Sequence, residues 1–382
     1  MKIIADENIP LVEEFFAADA EITRVPGRSL TREQLGDAQA LLVRSVTQVN
    51  EALLAGSDIQ FVGTCTIGMD HLDQSYLQKQ GIAFTNAPGC NANSVVEYVY
   101  AALCHLNVDW RNRTVGIIGC GNVGGALYRA LRAQGVECRC YDPFLTAADN
   151  PDLTELEDVL QADIVSMHTP LTTTGPYPSR HLLTKEKMMQ LAPGAVLLNC
   201  GRGPVVDNQA LLQVLRTRED LQVVLDVWET EPKFALPLLD HVRLGSPHIA
   251  GYSFDGKLKG TSMIYQAFCK HFGLAEQTRL GDVTPAVANN QLHTDIKASD
   301  WAVICDLVGQ VYDIEDDDRA MRKLARQSRD HGVDLGQGFD LLRKHYAIRR
   351  EFNNYQLAEE IKKEPLAKSL AALGFHLNNE RD

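Results

Sequence analysis

Between a β-branched run and a helical pattern, the chain reads TVGIIGCGNVGGALYRAL (114–131), which sets Gly119, Gly121 and Gly124 as G-x-G-x-x-G. A strand that turns straight into a helix over these glycines doubles back sharply and leaves no side chain between its backbone and a bound pyrophosphate. The helix N-terminus, with Asn122 and Val123 in its first turn, then offers unpaired N–H groups to negative phosphates. Alone the pattern is weak, because glycine turns between strands and helices are common. Its setting strengthens it: the next apolar run, ECRCYD, ends at Asp142, 18 residues beyond Gly124. A carboxylate there can bind the hydroxyls of an adenosine ribose and repels a 2′-phosphate, so NAD is expected over NADP.

The same alternation of strand and helix runs on both sides of this motif. Downstream, DIVSMH, AVLLNC, VVLDVW and VRLGSPH continue a parallel sheet. Upstream, KIIAD, EITRV, ALLVRS, FVGTCTIG and IAFTNAP are strand candidates, separated by helical stretches such as PLVEEFFAA and DHLDQSYLQKQG. A chain of 382 residues exceeds one ordinary core. The expected class is α/β, with two doubly wound domains and a helix-rich tail. We assign residues 1–100 and 256–280 to the first domain, 101–255 to the dinucleotide-binding domain and 281–382 to the tail. In this division the glycine-rich GSPHIAGYSFDGKLKG closes the second domain, and a helix from TSMIYQAFCKHFGL packs back on the first. In the tail, YDIEDDDRAMRKLARQSRD places acidic residues before basic ones, as a helix dipole prefers. The stretch FDLLRKHYAIRREFNNYQLAEEIKK is expected to be mostly helical.

A formal net charge of −13 disfavours a sequence-independent grip on nucleic acid or on an anionic membrane. No run reaches the apolar length of a membrane span, and MKIIADENIP is not a signal peptide, so a cytoplasmic protein is expected. The nine cysteines form no C-x-x-C pair and read as reduced thiols. No metal is expected.

Ligands of doubly wound sheets sit at the carboxyl ends of the strands. Thr169, Arg202, Asp226 and Glu231 follow strand candidates in this way, and His248 follows VRLGS. A lone histidine is more often a satisfied structural residue than a catalyst. Here Glu231 is placed to fix its tautomer and stabilise its charged form, which suits a general acid–base group. Arg202 offers a bidentate fork to a carboxylate. Nicotinamide, base and cation are the parts that hydride exchange with a 2-hydroxy acid needs.

These residues resemble the D-2-hydroxyacid dehydrogenase family over most of 1–280. The likeness rests on the glycine motif, HTPLT (168–172), NCGRGPVVDNQAL (199–211), DVWETEP (226–232) and PHIAGYS (247–253). It implies a flavodoxin-like substrate domain, a Rossmann NAD domain and a catalytic set of Arg202, Glu231 and His248. Asp226 would meet the nicotinamide carboxamide, with Thr169, Cys200, Gly201, Arg202 and Gly251 also lining the cofactor. Further stretches, DENIP, VRSVTQVN, GTCTIGMDHLD, APGCNANSVVEYV and HIAGYSFDGK, are similar to a branch acting on a small phosphorylated 2-hydroxy acid. That likeness implies Ser45, Thr66 and Tyr252 as substrate contacts. Arg44, at the same strand end as Ser45, adds a cation by position. Pro204 departs from the family pattern, in which a small residue follows the Arg-Gly pair.

The tail, including YAIRREF, resembles a dimerisation domain of that branch. Leu307, Val311, Leu341, Leu342 and Phe352 are more apolar surface than a lone helical tail needs, so a homodimer is expected. Arg349 and Arg350 read as a solvated helix face, able in a dimer to reach a partner's cleft. Two rival readings are another family member acting on a similar phosphorylated acid, whose longer forms end in a βαββαβ regulatory domain, and an NAD-sensing scaffold that binds partners without turnover.

Overall fold

Each apolar run of the first hundred residues becomes a strand of one parallel sheet. In the computed structural model, which describes residues 1–358, 361 and 363–377, the strands are Lys2–Asp6 (β1), Glu21–Val25 (β2), Ala40–Val43 (β3), Phe61–Thr64 (β4) and Ala83–Thr85 (β5). They pair in the order β2-β1-β3-β4-β5. β3 and β4 are buried along their whole length, as a sheet covered on both faces requires. Side chains alternate between two cores: Ile3, Leu42 and Phe61 meet Phe16 and Phe268, while Ile4, Leu41 and Val62 meet Leu35, Leu54 and Leu77.

The helix Phe254–Phe272 belongs to this sheet, so that residues 1–91 and 253–286 form one compact unit. It starts seven residues before the expected TSMIYQAF. Ser253 caps it by accepting from the Gly256 N–H, and Gly256 and Gly260 of the glycine-rich stretch lie inside the helix. Gly260 is there for proximity, since a Cβ would come within 2.9 Å of the Cys65 carbonyl oxygen.

Residues 92–252 form the second unit together with the chain from 287 onward. Its strands are Val115–Ile118 (β6), Cys138–Tyr141 (β7), Ile164–Met167 (β8), Val196–Asn199 (β9), Gln222–Leu225 (β10) and Leu244–Gly245 (β11). All are parallel, in the order β11-β10-β9-β8-β6-β7. The order reverses at β6, which makes the β6/β8 boundary the switch point where ligands of such sheets bind.

The tail continues this second unit. Val303, Ile304, Leu307 and Val308 of the helix Asp300–Val311 share a core with Tyr98 and Tyr100 of the helix Ala92–His105 and with Trp110 of the 3-10 turn Trp110–Asn112. On the other face of the sheet, Met321, Leu324 and Phe339 join Trp228, Phe234, Leu238 and Leu239. Met321 and Leu324 lie on the helix Ile314–His331 and Phe339 on the helix Leu335–Lys344. The first of those helices also closes a sheet edge: Asp318 accepts from the Gly245 N–H of β11 at 2.9 Å. Arg322 holds that carboxylate and donates to the carbonyls of Leu239 and Val242.

Two expectations for the tail are corrected. Helix stops at Lys344, and among the described residues a short 3-10 turn, Phe352–Asn354, and the two-residue strand Gln356–Leu357 follow before the helix Glu364–Leu373. Residues 359, 360 and 362 of the expected helix lie outside the described residues. β-Branched Ile348 and the Asn353–Asn354 pair are weak helix formers, and tertiary contacts decide the segment. Phe352 stacks on Phe375 with centroids 4.8 Å apart, and the Tyr346 hydroxyl donates to Asp317. Arg349 and Arg350, expected on a solvated helix face, are instead buried and lie outside any helix. The Arg349 guanidinium lies 4.2 Å from the Tyr312 ring centroid and donates to the Ser94 hydroxyl and the Ala250 carbonyl.

The apolar surplus counted in the tail is largely consumed within the chain. Leu307 and Phe352 are fully buried, whereas Leu341 and Ile348 stay exposed. All nine cysteines are free thiols. Among the described residues, no helix is long and apolar enough to cross a membrane.

Candidate active site

The candidate residues of the second unit gather at one edge of its sheet. β6 leads into the glycine turn and the helix Asn122–Ala133. Gly124 tolerates nothing larger, because a Cβ would lie 1.9 Å from the Gly119 carbonyl oxygen. Asp142, just past β7, accepts from the Cys120 N–H at 2.9 Å and the Phe144 N–H at 3.1 Å. One oxygen is thus aimed by the glycine turn itself, and a carboxylate with two such bonds keeps lone pairs for ribose hydroxyls. The cradle and the carboxylate fit a dinucleotide. Thr169 follows β8, its hydroxyl 3.5 Å from the Ile118 carbonyl.

At the end of β9, fully buried Asn199 brackets the arginine backbone. Its Nδ2 donates to the Arg202 carbonyl at 3.1 Å, and its Oδ1 accepts from the Gly201 N–H at 3.2 Å. Sequence reasoning missed this residue, although a polar side chain closing an otherwise apolar strand is a visible signal. Pro204 sits in the first turn of the 3-10 helix Gly203–Val205, where a missing N–H costs nothing, so its departure from the family pattern is accommodated.

Asp226 immediately follows β10 and is buried. Oδ1 accepts from the Ser246 hydroxyl and the Ile249 N–H, both at 2.7 Å, and Oδ2 accepts from the Ala250 N–H at 3.0 Å. Its carbonyl takes the His248 N–H at 2.8 Å. This clamp shapes the loop that carries His248. It has work to do, since His248 has φ 58°, a left-handed conformation that costs a residue with a side chain roughly 1–2 kcal/mol. Only the second oxygen of Asp226 keeps room for a further donor.

The histidine and its candidate partner meet: His248 Nδ1 and Glu231 Oε2 are 2.7 Å apart. A carboxylate only accepts, so Nδ1 carries the proton and Nε2 of the neutral ring is left as an acceptor. The other oxygen of Glu231 accepts from the Trp228 N–H at 2.8 Å. Burial pushes the Glu231 carboxyl up. The charge of His248 when protonated, its hydrogen bond, the Trp228 N–H and the Arg343 guanidinium outweigh it and hold the carboxyl below the ordinary glutamate range. Glu231 is therefore ionised at neutral pH. A ring nitrogen with a free lone pair, backed by a fixed carboxylate, can exchange a proton with a hydroxyl.

Tyr252 follows within four residues of His248. The Tyr346 ring stands edge-on to it, with centroids 5.9 Å apart, and the Arg343 guanidinium carbon lies 5.3 Å from its ring centroid.

In the first unit, Arg44, Ser45 and Thr66 lie past the ends of β3 and β4. Arg44 Nη1 is 3.8 Å from the buried Asp6 carboxylate, and Ser45 is exposed. The Thr66 hydroxyl is 2.8 Å from that of Thr64, which in turn lies 3.0 Å from His71 Nε2. Burial lowers the His71 pKa to about 4, so that ring is neutral at pH 7.

Residues 97–250 match the family described as D-isomer specific 2-hydroxyacid dehydrogenase, NAD binding domain, and residues 283–374 match a domain of unknown function. The chain is 60% identical to an erythronate-4-phosphate dehydrogenase of Cellvibrio japonicus, over 98% of this chain and 99% of the relative. It is 46% identical to the erythronate-4-phosphate dehydrogenase of Teredinibacter turnerae over the full length of both. Among solved structures, an Aquifex aeolicus D-lactate dehydrogenase bound to NAD and lactic acid aligns with TM-score 0.60 and 23% identity. It covers 71% of this chain and 96% of its own. An NAD-bound 3-phosphoglycerate dehydrogenase of Entamoeba histolytica gives 0.62 and 22%, over 72% and 95%. At these identities the structural likeness shows the fold.

Proposed function

Because the chain belongs to the D-isomer specific 2-hydroxyacid dehydrogenase family and is an NAD-dependent dehydrogenase, we propose that it oxidises 4-phospho-D-erythronate to 3-hydroxy-2-oxo-4-phosphobutanoate. The reaction would serve pyridoxal 5′-phosphate synthesis in the cytoplasm. The observation that carries the choice of substrate is the 60% identity to the Cellvibrio enzyme, which runs through both units and the tail.

In this reading Arg202 grips the substrate carboxylate through its guanidinium fork. His248 takes the C2 hydroxyl proton on Nε2, while Glu231 holds Nδ1–H and stabilises the charge that develops on the ring. NAD, when bound, accepts the hydride from C2. Gly119, Gly121, Asn122, Val123 and Gly124 would approach its pyrophosphate, and Asp142 its ribose. Thr169, Cys200, Gly201, Arg202, Asp226 and Gly251 would line it further along. Arg44, Ser45, Thr66 and Tyr252 would contact the substrate. Exposed Leu341 and Ile348 support a homodimer formed through the tail.

The test is direct. With NAD and a carbonyl trap for the oxo product, NADH should form from 4-phosphoerythronate far faster than from 3-phosphoglycerate. Equal rates, or preference for the second acid, would overturn the assignment.

A further inference from the structure

The tail brings one cation to bear on the candidate catalytic pair without tying it up in an ion pair. Arg343 lies in the last turn of the helix Leu335–Lys344. Three arginines of the preceding helix have carboxylate partners: Arg319 meets Glu315 at 3.1 Å, Arg322 meets Asp318 at 2.7 Å and Arg329 meets Asp240 at 2.6 Å. Arg343 makes no ion pair with a carboxylate among the described residues. Its Nε is enclosed without a hydrogen-bond partner, and the guanidinium stands 5.3 Å from the Tyr252 ring centroid. Its field is felt at Glu231, where it helps to hold the carboxylate ionised. Arg44, by contrast, already faces the buried Asp6 carboxylate.

A partly enclosed guanidinium with unused donors gains most from an anion that supplies both charge and acceptors, which a phosphate does. In the substrate proposed above, two carbons and an ester oxygen separate the reacting C2 from phosphorus. Arg343 packs on Tyr252, four residues beyond His248, and its charge acts on Glu231, which sets it on the side of the catalytic pair. We propose that Arg343 binds the substrate phosphate, with Tyr252 as the surface that holds the guanidinium plane, so that the tail supplies a specificity element to the active site. This rests on the substrate reading above and names a residue for its phosphate.

The test compares kcat/KM for 4-phosphoerythronate and unphosphorylated erythronate in the full-length enzyme, the Arg343→Met variant and the Arg343→Lys variant. Met keeps the apolar stem and removes the fork, while Lys restores charge without the fork. The ratio favouring the phosphorylated acid should fall on the order of ten- to a hundredfold in Arg343→Met, mostly through KM, and recover in part in Arg343→Lys. Inorganic phosphate should compete with erythronate in the wild type and lose that competition in Arg343→Met. NAD binding, followed by fluorescence, reports whether each variant is folded. An unchanged ratio, or equal loss on both acids, would overturn the inference while leaving the substrate assignment standing. A wild-type enzyme that shows no preference for the phosphorylated acid would remove both.

Discussion

Replacing Glu231 by Gln separates two roles that its carboxylate performs. One oxygen accepts from His248 Nδ1 at 2.7 Å and the other from the Trp228 N–H at 2.8 Å. Both atoms must be acceptors, and an amide supplies only one. If the Gln oxygen turns to His248, its NH2 faces the Trp228 N–H, and the reverse placement opposes two donors at the ring. Loss of charge weakens the hydrogen bond to the imidazolium by about 1–2 kcal/mol, the gap between charged and neutral bonds. At 1.36 kcal/mol per decade this slows a step that protonates the ring by roughly 5- to 30-fold. The opposed donor costs a further 1–3 kcal/mol or so and falls on stability. Steady-state NADH formation from 4-phosphoerythronate, with urea denaturation of the same samples, reads both terms. Turnover within a factor of two of wild type would refute the charge argument. Activity lost together with NAD binding would assign Glu231 to the fold instead.

Asp142→Ser should narrow the preference for NAD over NADP and also lower affinity for both, because the Cys120 N–H loses its acceptor; unchanged discrimination would place Asp142 away from the ribose. For Asp317, burial raises the carboxyl from 3.8 to about 6 despite hydrogen bonds from Tyr312 and Tyr346. A raised folded pKa means that this group's contribution is present below the unfolded value and is lost as pH climbs through the folded one. Asp317→Asn should therefore gain on wild type by on the order of 3 kcal/mol between pH 4 and 7 in denaturation experiments, and a pH-independent difference would refute this. Ending the chain at residue 281 should produce an aggregating protein that fails to bind NAD, because Tyr98, Tyr100 and Trp110 lose the core they share with Ile304 and Leu307; a soluble NAD-binding monomer by light scattering would show that the tail is dispensable.

The strands were readable because each is a short β-branched or leucine-rich run between turn residues, and a buried parallel strand leaves that mark. The pairing of Glu231 with His248 is legible in the sequence because consecutive strand ends share a sheet edge. What stayed hidden depends on contacts between distant segments. Asp226 looked like a ligand residue, yet most of its capacity holds the loop 246–250 in place. Arg349 looked solvated because charge in an acidic, helix-rich tail usually is. Its burial follows from Ala250 and Ser94, 99 and 255 residues earlier in the chain. The start of the helix at Phe254 was obscured by glycines, whose reason is the backbone they approach and not local flexibility.

The tail's place in both cores of the second unit has a consequence for the order in which the chain is made. Synthesis delivers the nucleotide-binding strands first and their covering helices last, since the residues that complete one core extend to Phe375. The edge of β11 waits for Asp318 in the same way. Until roughly the final quarter of the chain has left the ribosome, the emerging sheet carries two incompletely covered faces and an open edge, the features that draw nascent chains into wrong associations. Chaperone dependence in this protein should accordingly concentrate late in synthesis, after the glycine turn has formed and before the last helix has docked.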